Sequence, residues 1–315
     1  MKKLLPILFV LIITSCSKEI PSDQLVERNG IYYEVNSQTG FTGTSISYYE
    51  NGQLKEKITY TNGELDGSIQ SYFENGQSQL QGNYKNGELD GLGESYFENG
   101  QLSFKGTYKS GGLDGLSKEY YENGQIKKKS NSQDGFLDGL SETFWKDGTL
   151  LSRGNYIDGN KNGLFEVYFE KGTLQSKVNY TDGKENGLSE TFWKDGTLLS
   201  RGNYIDGNKN GLFEDFFSDG ESWSKENYTD GKQNGPFKKY HSGGQLWISG
   251  NFKWGAKEGL ETWYYFDGTL WKETYYKDNK KEGIERSFER SGKEFNFSPE
   301  CYKNDEKVYI SKCQN

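Results

Sequence analysis

A glycine returns every 24 residues through most of this chain, and that interval limits what the chain can fold into. Eleven lead glycines keep it without an insertion or deletion: Gly43, Gly67, Gly91, Gly115, Gly139, Gly163, Gly187, Gly211, Gly235, Gly259 and Gly283. A second glycine follows nine places after each one, from Gly52 to Gly292. Such regularity is typical of stacked structural units, because an inserted residue would break the register with both neighbours. We number repeat positions 1 to 24 from the lead glycine.

Each unit has the pattern of a β-hairpin. In the first copy, residues 44–50 form a predicted strand, Asn51-Gly52 the turn, and residues 53–60 the return strand. Asn-Gly between strand-forming runs favours a type I′ turn, and a second pair such as Asn62-Gly63 leads to the next unit. The predicted fold class is therefore all-β, an elongated solenoid-like single antiparallel sheet of about eleven 24-residue β-hairpin repeats.

A two-residue turn at Asn51-Gly52 would set the pairing of the hairpin. It places Tyr49 opposite Leu54, Ser45 opposite Ile58 and Gly43 opposite Tyr60, all on one face. Aromatic rings could then lie over glycines, at the lead position and at Gly82, Gly106, Gly154, Gly202 and Gly250. On the other face we expect a smaller packed ladder of Leu92, Leu116, Leu140 and Leu164 beside Tyr96, Tyr120, Phe144 and Tyr168.

Composition excludes several classes of protein. Aromatic residues make up 16% of the chain, which argues against disorder, and only 4 prolines accompany the 41 glycines, which excludes collagen. The net charge is −8, and the lysines are scattered among acidic residues. Nucleic acid is therefore not an expected partner, since a phosphate backbone needs a basic stripe.

The N-terminus has the layout of a secretory signal. Met1-Lys2-Lys3 is a basic start, residues 4–13 are apolar, and Thr14-Ser15 precede Cys16. Small residues before a cysteine resemble the lipobox of bacterial lipoproteins, in which that cysteine receives lipid and becomes the mature N-terminus. The alternatives are an ordinary signal peptide with a chance cysteine and a buried helix. Acyl chains on Cys16 would anchor the chain to a membrane, and Ser17, where enterobacterial sorting would need Asp for inner-membrane retention, favours the outer membrane of the envelope.

The predicted organisation follows from these signals. Residues 1–15 are the signal peptide, 16–28 a polar tether, 29–42 an N-terminal cap, 43–292 the hairpin repeats and 293–315 a C-terminal cap. Cys301 and Cys313 are an even pair for an oxidising compartment, so we expect a disulfide, with two free thiols as the alternative.

The repeat resembles the bacterial variant of the MORN repeat (membrane occupation and recognition nexus). The match is carried by motifs such as Tyr48-Tyr49-Glu50-Asn51-Gly52-Gln53-Leu54 and covers residues 29–292. Bacterial chains of this kind are often grouped with the YwqK-type antitoxin family. The resemblance implies a non-enzymatic β-hairpin solenoid that binds protein or lipid, or neutralises a toxin. The lipobox-like start departs from a cytosolic antitoxin.

No catalytic set or cofactor site is predicted. The one histidine, His241, occupies an aromatic position of its unit, and no phosphate loop is present. The shared repeat position of Glu94, Glu142, Glu166, Glu190 and Glu214 predicts a row on a solvated face. Asp158-Gly159-Asn160-Lys161-Asn162-Gly163 and its copy at residues 206–211 resemble the opening of a calcium loop, but Phe169 and Phe217 replace the closing glutamate. We therefore predict turns and no metal.

All seven tryptophans lie in the C-terminal part of the chain. Trp254 replaces the usual Asn or Asp of a second turn, and with Trp247 and Trp271 it is the candidate binding surface, although core or edge filling explains the same residues. The sequence thus predicts a non-enzymatic, envelope-anchored lipoprotein whose repeats bind a protein, or alternatively a glycan. A second hypothesis is an antitoxin or immunity-type protein that binds and neutralises a toxin enzyme.

Overall fold

A computed structural model describes residues 18–313, and the predicted all-β class of consecutive antiparallel hairpins is confirmed. The helical segments among these residues are two short 3-10 turns, Ser22–Gln24 and Ile310–Cys313. The chain forms two compact units. The first extends to Ile126 and includes Asn131–Phe136, and the second contains Lys127–Ser130 and the chain from Leu137 onward.

The first unit contains the short N-terminal strands and the early repeats. Its strands are β1 Glu19–Pro21, β2 Leu25–Arg28, β3 Ile31–Glu34, β4 Gly43–Tyr48, β5 Leu54–Thr61, β6 Glu64–Tyr72, β7 Ser78–Lys85, β8 Glu88–Leu89, β9 Gly91–Tyr96, β10 Leu102–Lys109, β11 Gly112–Leu113 and β12 Gly115–Tyr120. Strand β13, Ile126–Gln133, is divided between the two units.

The second unit contains the later repeats and the C-terminal strands. Its strands are β14 Phe136–Phe144, β15 Leu150–Ile157, β16 Asn160–Tyr168, β17 Leu174–Thr181, β18 Lys184–Phe192, β19 Leu198–Ile205, β20 Asn208–Phe216, β21 Ser222–Thr229, β22 Lys232–Tyr240, β23 Leu246–Lys253, β24 Ala256–Lys257, β25 Gly259–Tyr264, β26 Leu270–Lys277, β27 Lys280–Lys281, β28 Gly283–Ser287, β29 Glu300–Lys303 and β30 Glu306–Val308. Phe136, the first residue of β14, is counted with the first unit.

The first turn of each repeat is not the predicted type I′ turn. The amide of Tyr49 donates to the carbonyl of Gln53 at 2.8 Å, and the amide of Gly52 donates to the carbonyl of Tyr49 at 2.9 Å. Only Gly52 of the Asn51-Gly52 pair has a positive φ, +84°. This is a three-residue turn closed by a glycine bulge. Asn51 stabilises it by accepting a hydrogen bond from the Gln53 amide.

The extra turn residue changes the pairing near the hairpin tip. Tyr48, rather than Tyr49, lies opposite Leu54, because a bulge shifts the register after Ser47. The predicted pairs Ser45–Ile58 and Gly43–Tyr60 are confirmed. The sequence therefore predicted the far end of the hairpin correctly and the tip wrongly.

The type I′ geometry occurs at the second turn, between repeats. Asn62 and Gly63 have φ of +52° and +84°, and Thr61 pairs directly with Glu64. After this turn the register shifts again, and the lead glycine lies in the bulge with a positive φ, +123° at Gly67. Glycine recurs there because an L side chain rarely adopts that conformation.

The segment predicted to be a tether is folded. Strand β1 pairs in parallel with β4, and Ile20 is buried in a cluster with Phe41 and Tyr60. Strands β2 and β3 form their own two-stranded sheet, whose Leu25 and Tyr32 pack against the same cluster. Ile20 is the reason the tether prediction fails from residue 19 onward, since it gives the segment an apolar anchor in the first repeat.

Each unit has two chemically different sheet faces. The aromatic face carries repeat positions 3, 5, 7, 16, 18 and 23, and the charged face carries positions 2, 4, 6, 15 and 17. On the aromatic face of the second unit, an added Cβ on Gly154, Gly202 or Gly250 would meet a phenylalanine ring within 2.7 Å. The expected placing of rings over glycine is therefore confirmed at these three glycines and at Gly106, which meets Phe104. It is wrong at Gly82, which meets Leu89 and Ile69, and the lead Gly91 has no atom that near.

On the charged face, position 2 does not form the packed ladder that was expected. Leu92 and Leu116 of the first unit are 45% and 50% exposed, and leucines of the second unit are similarly exposed. The ladder prediction fails because short side chains such as Asn155, opposite Leu140, leave little to pack against.

Candidate functional site

Three tryptophans of the second unit meet on the aromatic face. Trp247 and Trp271 occupy position 13 of successive repeats, and Trp263 lies at position 5 of the strand between them. The ring centroids of Trp247 and Trp263 are 5.7 Å apart with planes at 86°, and those of Trp263 and Trp271 are 5.9 Å apart at 88°. This edge-to-face geometry is the favourable one for aromatic pairs.

Three further rings extend this cluster towards the turns. His241 lies 5.7 Å from Trp247 and 5.4 Å from Phe266, and Tyr265 lies 5.9 Å from Trp271. We call His241, Trp247, Trp263, Tyr265, Phe266 and Trp271 the aromatic patch. Phe266 is 56% exposed and Trp271 38% exposed, so the patch presents apolar ring surface to solvent. Contiguous apolar rings rimmed by polar groups are typical of protein-binding sites.

Polar neighbours hold the patch in place. The indole Nε1 of Trp263 donates to Glu261 at 3.0 Å, and Glu261 pairs with Lys257 at 2.6 Å. Tyr265 donates its hydroxyl to the carbonyl of Phe288 at 3.0 Å, which ties the patch to the next repeat. Lys272 lies 5.5 Å above the Trp263 ring. A rigid set of rings loses little conformational entropy on binding.

The three tryptophans named from the sequence do not form one site. Trp247 and Trp271 belong to the patch, but Trp254 lies in the turn between β23 and β24, 55% exposed. Its φ of +51° is unusual for so bulky a residue. Sequence reasoning did not select Trp263, although the strand register would have placed it between Trp247 and Trp271.

A groove of about 730 Å³ lies on the second unit at the hairpin tips. Phe169, Trp193 and Leu199 line it together with Thr191. Trp193 is 38% exposed, and its Nε1 donates to the carbonyl of Phe216 at 3.4 Å. Nothing in the sequence singled out this groove, because its walls come from consecutive repeats.

The charged face of the second unit carries an ion-pair ladder. Glu190 pairs with Lys177 at 2.6 Å, and Glu214 pairs with Arg201 at 2.6 Å and with Lys225 at 3.0 Å. Burial alone would raise the pKa of Glu214, but hydrogen bonds from Lys225 and Arg201 lower it. The glutamate row therefore alternates with basic side chains from adjacent strands instead of standing alone in solvent.

The structure also bears on the predicted cysteine pair and on the calcium-like motif. Cys301 and Cys313 are joined by a disulfide, whereas Cys16 lies outside the described residues. Asp158 and Gly159 form a type I′ turn with φ of +48° and +79°, which accounts for the calcium-like motif. Residues 18–313 contain no group of three or more His, Cys, Asp and Glu side chains placed to hold a metal ion.

Within residues 18–313, no helix has the length and apolar character needed to cross a bilayer.

The architecture defines a class of proteins built from consecutive β-hairpin repeats, and the sequence assigns the family. The MORN repeat variant family matches nine segments: residues 41–62, 65–86, 89–110, 113–134, 137–158, 161–182, 185–206, 233–253 and 257–278. Because these segments span more than half of the chain, the chain belongs to the MORN repeat variant family. Its members are generally non-catalytic repeat proteins.

No curated protein matches the chain. Among solved structures, the chain is similar to the crystal structures of TcdB2-TccC3 and of TcdB2-TccC3-Cdc42, each at 13% identity over 82% of this chain and 17% of that chain. The TM-scores are 0.19 and 0.18. The chain thus spans about a sixth of those proteins.

Proposed function

We propose that this protein is a lipid-anchored envelope protein whose hairpin repeats bind another protein through the aromatic patch. The observation that supports this proposal is the edge-to-face set of Trp247, Trp263 and Trp271, brought to one face by consecutive repeats. Large rings held rigidly at a surface are the residue type that dominates protein-binding energy. The anchor in this proposal is lipid on Cys16, and the compartment is the outer membrane.

The binding mechanism follows from repetition. Neighbouring repeats offer similar surfaces at a spacing of about 10 Å, two strands apart. A partner can therefore gain affinity by contacting several units at once. No bond-making step is needed, and the proposal assigns no catalytic residue.

The test is affinity capture with residues 17–315 and two matched variants. The first carries Trp247→Ala and Trp271→Ala on the aromatic face. The second carries Leu164→Ala and Leu188→Ala, two exposed leucines of the charged face. We expect the parent and the leucine variant to capture an envelope protein. The tryptophan variant should capture at least tenfold less of it. Equal capture by both variants would contradict the assignment of the aromatic patch.

The same experiment separates the two other hypotheses. An enzyme that is captured and inhibited by the bait would support the antitoxin function instead. Capture of glycan without protein would move the assignment to a carbohydrate ligand. Labelling with a palmitate analogue, with Cys16→Ala as the control, tests the anchor independently.

A further inference from the structure

The repeat contains its own binding site for a lysine side chain. Where position 23 is lysine, its ammonium lies over the ring of the tyrosine that pairs with the lead glycine of the next repeat, which is position 18 except at Tyr302. This occurs four times in the second unit: Lys161 over Tyr180 at 4.7 Å, Lys209 over Tyr228 at 4.9 Å, Lys257 over Tyr276 at 4.8 Å and Lys281 over Tyr302 at 4.5 Å. These distances are those of cation–π contacts.

One repeat reverses the charge at this place. Position 23 there is Glu185, the corresponding tyrosine is Tyr204, and position 3 between them is Ser189. The neighbouring repeats have phenylalanine at that position, Phe165 and Phe213, each under its own lysine. The substitution by serine removes a ring from this place, and Val178 lies opposite Ser189 where the neighbouring repeats have glycine.

The backbone register brings the three side chains to one place on the aromatic face. Glu185 pairs with Tyr180 across the type I′ turn, and Gly187 pairs with Tyr204, two residues before Ser189. Burial raises the pKa of both Tyr180 and Tyr204, and Glu185 raises both further, Tyr204 by its negative charge and Tyr180 by its charge and a hydrogen bond, so the carboxylate lies close to both phenols. Within residues 18–313, Glu185 forms no ion pair with a lysine or arginine.

We propose that Glu185, Ser189 and Tyr204 form a notch that binds a lysine or arginine side chain of a protein partner. The cation lies over the Tyr204 ring, as Lys209 lies over Tyr228, and Glu185 supplies the opposite charge. Lys209 pairs with Tyr204 across the next turn, but its ammonium lies over Phe213 and Tyr228, and that of Lys161 lies over Phe165 and Tyr180, so neither lysine covers the Tyr204 ring.

The surroundings favour a protein side chain over a free amine. Ser189, Thr191 and Trp193 lie at alternate positions from β18 into its turn, so the notch continues directly into the apolar groove lined by Trp193. A basic residue and a nearby apolar residue of one partner segment can therefore bind side by side. This inference rests on the proposed function, because the basic side chain belongs to the protein partner proposed there.

The notch can be tested without the partner. The protein is labelled with ¹³C in its tyrosine rings and titrated with acetyl-Gly-Lys-Gly-amide, and the norleucine peptide serves as the control. We expect saturable shifts at the Tyr204 ring with the lysine peptide and none at Tyr228, whose face is occupied by Lys209. Equal shifts with the norleucine peptide, or none at Tyr204, would overturn the notch.

Two variants built from the repeat's own sequence sharpen the test. Glu185→Lys with Ser189→Phe and Val178→Gly recreates the set found at Lys161, Phe165 and Gly154, so the fold is expected to accept it and the peptide to bind about tenfold more weakly. Lys209→Glu with Phe213→Ser should create a second notch at Tyr228. Failure of both variants to change peptide binding would contradict the proposal. If the parent protein binds the lysine peptide but captures no protein partner, only the proposed function is contradicted.

Discussion

At the residue scale, the turn between repeats selects its residues by backbone conformation. Asn or Asp occupies the first turn position in most repeats, with φ near +50°, because these side chains tolerate the left-handed region. Trp254 adopts the same φ of +51° without that tolerance. An exposed ring kept in a strained conformation is a reason to expect a binding role.

Replacing Trp254 with Asn should separate stability from binding. Trp254→Asn should raise the free energy of unfolding by roughly 1 kcal/mol, because Asn relieves the strain at positive φ. If the ring contacts the partner, capture by this variant should fall. Urea denaturation measures the first effect, with Asp206→Asn as a control expected to change little. A less stable Trp254→Asn variant would show that the ring packs more than its exposure implies.

Glu214 should make stability depend on pH in the acidic range. Its folded pKa is lowered below the ordinary value of 4.5, so its contribution is fully present above pH 4.5 and is lost as pH falls through the lowered value. Glu214→Gln should cost roughly 1–2 kcal/mol at pH 7, since the side chain is only 8% exposed and bonded to two cations.

The pH dependence and a control variant separate the contribution of the Glu214 charge from that of its packing. The difference in unfolding free energy between parent and Glu214→Gln should shrink as the pH is lowered below 4.5, as measured by urea titrations at each pH. Leu188→Ala, an exposed position without a titratable group, should show no such change. A difference that stays constant with pH would assign the loss to packing.

At the element scale, three glycines of the repeat should respond differently to replacement by alanine. Gly259 has φ of +88° and no atom within 4 Å of an added Cβ, so Gly259→Ala should cost roughly 1–2 kcal/mol from conformation alone. Gly154→Ala should cost more, because the new Cβ would lie 2.4 Å from the Phe165 ring. Gly82→Ala, with ordinary contacts at 3.5 and 3.6 Å, should stay within about 1 kcal/mol of the parent.

Chemical denaturation of these three variants checks the order. If Gly259→Ala were neutral, the lead glycine would owe its recurrence to something other than its positive φ. If Gly154→Ala were neutral, the Phe165 ring would be free to move, and the packing between Phe165, Tyr156 and Tyr180 would contribute little.

The hairpin shows where sequence reasoning succeeds and where it fails. The 24-residue period and the Gly43–Tyr60 pairing could be read from the sequence, because both depend on spacing that all repeats share. The turn types could not, since Asn51-Gly52 and Asn62-Gly63 are the same dipeptide in a three-residue and a two-residue turn. The strand register decides between them, and it depends on neighbouring repeats.

At the scale of the whole molecule, the candidate sites were only partly predictable for the same reason. Residues 140–166 and 188–214 are identical in sequence. Yet Trp193 is exposed in a groove, whereas the Nε1 of Trp145 is buried and has no hydrogen-bond partner within residues 18–313. The flanking repeats differ, and they create the difference. A tryptophan can be identified from the sequence, but its environment is formed by residues of three consecutive repeats.

The disulfide should act locally. Cys301 and Cys313 close a short loop at the C-terminal end, where β29 pairs with β28 and β30. Cys313→Ser should cost about 2–3 kcal/mol in that segment, by loss of the cross-link. Amide hydrogen exchange should then accelerate in β28–β30 and remain slow in β15–β21, because each repeat contacts only its neighbours. Acceleration throughout the second unit would show that the repeats unfold together.

The duplicated segment permits a deletion without a foreign junction. Removing residues 167–214 joins Glu166 to Asp215, the residue that follows the same sequence in the second copy. Every turn, bulge and lead glycine keeps its spacing, so the shortened chain should fold with its remaining hairpins in register. The free energy of unfolding should fall only by the contributions of the two deleted repeats and their interfaces.

This deletion also tests the sites separately. It removes Glu185, Ser189, Tyr204 and Trp193, and it retains the whole aromatic patch. The shortened protein should therefore lose the lysine-peptide shifts and keep capture that depends on Trp247 and Trp271, weakened by the missing contacts. Circular dichroism and urea denaturation establish that it folds. If it folds and loses capture entirely, the partner binds chiefly at the deleted repeats, and the aromatic patch is not the principal site.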